Sequence, residues 1–122
     1  MDRIYFTTFK GKRVLIQDVS DLHPGREFKK TIEKAKKMIS AEPPKSVLSV
    51  FDASNCSFSD ESVKLMNEYV VGNTPYIKIA AVVGADGLLQ MVLTSLVKKS
   101  GREIPSFKTR EEALEFLASY DE

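Results

Sequence analysis

The apolar residues of this chain change period along its length, and each change marks an element. Ile4–Phe9 and Arg13–Gln17 are rich in β-branched and aromatic residues. They flank Lys10-Gly11-Lys12, where glycine supplies the unusual turn dihedral, so the pattern predicts a β-hairpin. After Pro24 the period lengthens. Phe28, Ile32, Ala35 and Ile39 recur at helical spacing while Lys29, Lys30, Glu33, Lys36 and Lys37 point elsewhere. Pro43 and Pro44 end that helix, because proline cannot continue it. Val47–Phe51 is a short, unbroken apolar run, the mark of a strand covered on both faces. Ser59 begins a second helix with Val63, Met66 and Val70 on one side. Ile77–Val83 follows as a second buried strand and Leu88–Lys99 as a third helix. Ile104–Phe107 is a brief strand that Pro105 assigns to a sheet edge. Thr109-Arg110-Glu111-Glu112 is a capping box opening a last helix, whose inner face is Ala113, Phe116, Leu117 and Tyr120.

The order β-β-α-β-α-β-α-β-α predicts an α/β fold. It implies a mixed, mostly parallel sheet of about five strands, with an N-terminal hairpin and about four helices. At 122 residues the chain suits one domain with a proper core, and no repeat or linker divides it. A hydrophobic content of 43% and a charged content of 29% are those of a soluble globular protein. The net charge of +1 gives no field to recruit nucleic acid or an anionic membrane. A single cysteine forms no internal disulfide. The N-terminal stretch lacks the basic start and apolar centre of a signal peptide, and no apolar run approaches the roughly 20 residues of a spanning helix. These features predict a cytoplasmic protein without a transmembrane segment.

Candidate chemistry is sparse. Nucleophilic catalysis needs a base beside the nucleophile, but Cys56 and His23 sit in no recognisable motif. A phosphatase-type cysteine loop wants an arginine where this chain has Ser62. No H-x-x-x-H or C-x-x-C spacing is present, which leaves Asp18, Asp21, Asp52 and Asp60 as strand-end and capping carboxylates. Gly84–Leu88 lacks the spacing of a phosphate loop and reads as Gly84 ending a strand with Asp86 capping a helix. The lysines of the first helix have no interleaved aromatics and read as a solvated face. The pattern predicts no catalytic residue, no metal and no cofactor.

Two features exceed plain architecture. In Leu88–Val97 apolar residues fill about two-thirds of the helical wheel. Leu88, Val92 and Leu96 suffice to pack on a sheet. Leu89, Leu93 and Val97 then need cover from the last helix, a second copy in a homodimer, or an apolar ligand. The other feature is the loop Asp52–Ser62. It follows a parallel strand, where such sheets carry their binding crevices, and ends at a helix start where Ser59 is a natural N-cap. Asp60 and Glu61 favour the positive end of that helix, and Ser62 lies in its first turn.

The stretch Phe51-Asp-Ala-Ser-Asn-Cys-Ser-Phe-Ser-Asp-Glu-Ser62, after a hairpin, a helix and a buried strand, resembles the STAS domain of anti-sigma-factor antagonists. Asn73–Leu117 resembles its SpoIIAA-like branch, also described as similar to CRAL-TRIO lipid carriers. The resemblance implies a STAS-like fold and a phosphorylatable serine, which falls on Ser62 when Phe58 and Asp60 are aligned. Glu61 and Val63 stand where the motif has serine and glycine. It further implies a non-catalytic regulatory binding module whose protein partner is of the anti-sigma kinase class. The expected partner surface is Asp52, Ser54, Ser59, Asp60, Glu61 and Ser62. The alternative is a carrier or sensor of a small apolar ligand or lipid, held on the face of Leu89, Leu93 and Val97.

Overall fold

The computed structural model describes residues 2–85, 87–101 and 104–120, without the side chains of 87–89, 96, 99 and 100. Asp86, expected to cap a helix, lies outside the described residues. The element order is β1 (Ile4–Phe9), β2 (Lys12–Asp18), α1 (Arg26–Ser40), β3 (Val47–Asp52), α2 (Asp60–Asn73), β4 (Ile77–Val83), α3 (Gly87–Ser100), β5 (Ser106–Phe107) and α4 (Arg110–Ser119). The five strands form one sheet in the order β1-β2-β3-β4-β5, antiparallel between β1 and β2 and parallel thereafter. This is the mixed α/β architecture that the alternating periods predict. The last strand keeps only Ser106 and Phe107, while Pro105 offers its carbonyl to the Val82 amide.

The hairpin closes through Lys10 and Gly11, at φ 49° and 82°, with Phe9 paired to Lys12. Two consecutive positive φ values define a type I′ turn, whose twist matches that of the strands it joins. The three crossover helices then step the same way along the sheet. Right-handed crossovers stepping in one direction place every helix on one face. Accordingly α1, α2 and Leu93 of α3 share a core with Ile4, Leu15, Phe51 and Val82. Only α4, which returns to no further strand, covers the other face, setting Ala113 and Leu117 on Val14, Ile16, Val50 and Val83.

The predicted inner face of α1 agrees with the observed one, Phe28, Ile32, Ala35 and Ile39 being buried; in α4 Ala113 and Leu117 are buried, and Phe116 and Tyr120 are half-buried against the same cluster. That of α2 is rotated. Its buried residues are Ser62, Met66, Tyr69 and Asn73, whereas Val63 and Val70 are half-buried. The reason lies beneath it: the sheet there carries the buried polar residues Gln17 and Ser49. Tyr69 donates its hydroxyl to Gln17 Oε1, and Gln17 Nε2 donates to the Val50 carbonyl at 3.4 Å. A buried hydroxyl left without that acceptor would lose about 1–3 kcal/mol.

Candidate functional site

Parallel strands end together, so the residues that finish β2 and β3 become neighbours. Asp18 and Asp52 are register partners in the last rung of that pair. Each is followed by the same local construction. In Asp18-Val19-Ser20-Asp21 the amide and hydroxyl of Ser20 both donate to Asp18 Oδ1. In Asp52-Ala53-Ser54-Asn55 the Ser54 amide and hydroxyl donate to Asp52 Oδ1 at 3.0 and 2.7 Å. Val19 and Ala53 are buried in both copies. Asp21 and Asn55 are both left-handed, at φ 63° and 57°, a conformation that Asp and Asn tolerate better than other side chains. The two loops are tied to each other by Asn55 Nδ2 donating to Asp21 Oδ1 at 2.7 Å and the Asp21 amide donating to the Ser54 carbonyl at 3.0 Å. The two strand ends therefore share one local turn construction.

Each aspartate leaves its Oδ2 for a common cation. Arg110, the first residue of α4, donates from Nε and Nη2 to Asp52 Oδ2 at 3.2 and 2.8 Å, and Nη2 lies 3.3 Å from Asp18 Oδ2. Its Nη1 donates to the Tyr5 hydroxyl at 3.2 Å. One guanidinium thus spans three adjacent strands. Arg3 closes the far side by donating from Nη1 to the Ser20 carbonyl at 2.9 Å. Burial pushes the Asp18 carboxyl up, but the Ser20 hydrogen bonds and Arg110 outweigh it and hold the group below its ordinary range. Burial alone would lower Arg110; its hydrogen bond and charge pairing with Asp52, then Asp18, reverse that and strengthen its protonation.

From this base the second loop runs into α2. Gly84, at φ 76°, passes beside it so closely that a Cβ there would sit 2.7 Å from Ser54 Cα. Cys56 is half-buried and its thiol donates to the Val19 carbonyl at 3.3 Å. Burial pushes that thiol up to about 11, which suppresses the thiolate a nucleophile needs. His23 Nδ1 and Ser57 Oγ meet at 2.6 Å on the exposed rim, and no hydrogen bond among the described residues orients the other ring nitrogen. The helix start itself is reciprocally capped: Ser59 Oγ accepts from the Ser62 amide, and Ser62 Oγ accepts from the Ser59 amide at 2.7 Å while donating to its carbonyl. A groove of about 500 Å³ lies alongside, between the starts of α1 and α2, lined by Pro24, Arg26, Lys29, Glu61 and Lys64 among others.

The expected partner-surface residues divide on this geometry. Asp60 and Glu61 are exposed, and Ser54 and Ser59 are partly so. Asp52 is 7% and Ser62 5% exposed, and both spend their oxygens inside the framework. The exposed Asn55 and Ser57 extend the reachable rim. On α3, Leu93 is buried in the core and Val97 is half-buried, whereas the side chain of Leu89 lies outside the described residues, as do those of Leu88 and Leu96. Met91, on the same helix, is 71% exposed. Sequence reasoning missed Arg110, which it read only as the second residue of a capping box. The two Asp-x-Ser strand ends were visible in the sequence, but nothing in them pointed to Arg110 as their cation. Among the described residues no group of three or more His, Cys, Asp or Glu converges as a metal would require, and no helix is long and apolar enough to cross a membrane. Comparisons with protein-family models, curated proteins and solved structures gave no significant match.

Proposed function

We propose that this protein is a non-catalytic regulatory module that docks a protein partner through the loop after β3 and the start of α2. The observation that carries this reading is a rigid loop with a reachable rim. Asp52, Ser54 and Arg110 fix the base of the loop, while Asn55, Ser57, Asp60 and Glu61 stand exposed beside the groove. Pre-organised loops bind without the entropic loss of ordering themselves, which favours recognition. The raised Cys56 thiol supports a binding rather than a nucleophilic role for the loop. The mixed sheet with its opening hairpin, and the position of this loop within it, support the STAS-like reading. On that reading the partner is an ATP-binding regulator of the anti-sigma kinase class, and Ser62 is the phosphate acceptor. Its hydroxyl is inside the cap, so transfer to it requires the first turn of α2 to open.

The test is affinity capture of the tagged protein from its own cells, followed by native mass spectrometry and phosphosite mapping. Asp60→Arg and Glu61→Arg change exposed residues whose side chains take no part in the hydrogen-bonded framework. Both should abolish the captured complex, while Lys36→Glu on α1 should retain it. An interaction that survives both rim variants refutes the surface assignment, and a kinase-bound protein with no phosphate on Ser62 refutes the switch.

A further inference from the structure

Beneath α3, between α2 and the sheet, lies a cavity of about 40 Å³ lined mainly by apolar groups such as Phe51, Met66, Val82, Leu93 and Ile104. Two of its polar lining residues, Ser49 and Asn73, are 97% and 93% buried (3% and 7% exposed). Gln17 and Tyr69 use each other, but among the described residues no hydrogen bond engages the Ser49 hydroxyl or the Asn73 side-chain amide. Among the described residues no side-chain polar atom is both sealed and unpartnered, so these two groups open onto the cavity. Deeply buried polar groups left to a cavity normally meet water or a ligand there.

Leu93 and Ile104 also border a surface cleft of about 250 Å³ on the outer side, lined further by Gln90, Thr94, Val97 and Lys98. These two side chains are therefore the partition between the cleft and the inner cavity. The partition is lightly held. Leu93 is the buried member of the described α3 side chains, Val92 and Val97 are half-buried, and the helix packs chiefly against α2. Cavity and cleft together approach the lower end of ordinary ligand pockets, about 300 Å³.

We propose that this cavity and cleft form a binding site for a small uncharged molecule with one hydrogen-bonding group on a short apolar body. The hydrogen-bonding group meets Ser49 and Asn73, which together offer donors and acceptors. The apolar body passes between Leu93 and Ile104 into the cleft. Charge is disfavoured because, among the described residues, the inner lining holds no ionisable group other than the Tyr69 phenol, and an unpaired ion buried there is far costlier than a neutral amide. The length of the apolar body is set by the cleft of about 250 Å³ that receives it. This site is independent of the loop after β3.

The test is a titration of the methyl-labelled full chain, followed by NMR, with hexanamide and hexanoate, which share a chain and differ in charge. Hexanamide should shift the methyls of Leu93, Ile104 and Ala80, the last also lining the cavity, saturably, and hexanoate should bind about tenfold more weakly or worse. Ser49→Val and Asn73→Leu should each weaken hexanamide by about tenfold, the worth of one buried hydrogen bond. Ile104→Trp, a change at a half-buried loop position, should block the passage even if a core variant fails to fold. The proposal is overturned by a cavity that takes water only, with no saturable shift. Equal binding of hexanoate, or hexanamide affinity unchanged in the folded variants, overturns it as well.

Discussion

Replacing Arg110 by Met tests whether the strand-end framework stabilises the fold or merely decorates it. The substitution keeps an apolar stem over the sheet and removes the guanidinium. Asp52 retains its Oδ1 partners in Ser54 but loses both donors to Oδ2, and it faces the carboxylate of Asp18 across one rung of a parallel pair, about 4.8 Å away. Breaking a fully buried ion pair costs about 3–5 kcal/mol and a surface pair about 0–1. Here the Asp52 side chain is 11% exposed and that of Arg110 33%, so the site lies between these limits. An expected loss of about 2–3 kcal/mol follows, against a total of about 6–18 for a domain of this size. Urea unfolding of Arg110→Met, Asp52→Asn and the double variant measures it. Asp52→Asn should cost clearly less in the Arg110→Met background than alone, because the charge it removes is already unpaired there. Arg110→Lys should recover only part, since an ammonium cannot fork to Asp52 while reaching Asp18 and Tyr5. A loss below about 0.5 kcal/mol, as for an exposed pair, refutes the reasoning.

The same cluster governs acid stability. Because Asp18 is held below its ordinary value of 3.8, its contribution is full above that pH and disappears as pH falls through the lowered folded value. Arg110→Met should therefore unfold at a higher pH on acid titration followed by circular dichroism. Gly84→Ala should lose about 2 kcal/mol or more in urea, from the positive φ together with the collision against Ser54; a neutral result contradicts the close approach. Iodoacetamide should modify Cys56 slowly at neutral pH and faster as pH rises toward about 11, and rapid modification near pH 7 contradicts the buried thiol. Ser59→Ala should cost about 1 kcal/mol by thermal melting and speed hydrogen exchange of the Ser62 amide, which loses its acceptor.

The order and type of the elements were legible because each strand and helix carries its own hydrophobic period, and turn chemistry separates them. Positions such as Ile32, Ala35 and Leu117 pack where spacing put them. The inner face of α2 was not legible from apolar residues alone. Its buried Ser62 and Asn73 face a sheet that is itself polar at Gln17 and Ser49, and that match exists only once the strands are assembled. For the same reason the buried state of Asp52 could not be read from its loop: what buries it is Arg110, far along the chain. The assignment of Leu93 to a spare face assumed a helix packed flat on the sheet. Instead its side chain enters the core at the edge of a cavity.

The position of α4 carries a consequence for biosynthesis. Among the described residues, every helical side chain packed on the second face of the sheet belongs to the stretch from Ala113 to Tyr120, and the cation of the strand-end cluster is Arg110. During synthesis, which proceeds from the N-terminus, the hairpin and all three crossover units emerge first. Until α4 leaves the ribosome, Val14, Ile16, Val50 and Ile79 lack their cover and the two strand-end aspartates face each other without their arginine. Completion of this sheet is thereby deferred until α4 docks. A nascent or prematurely stopped chain presents a sticky, charge-strained sheet that chaperones and proteases can distinguish from the finished protein.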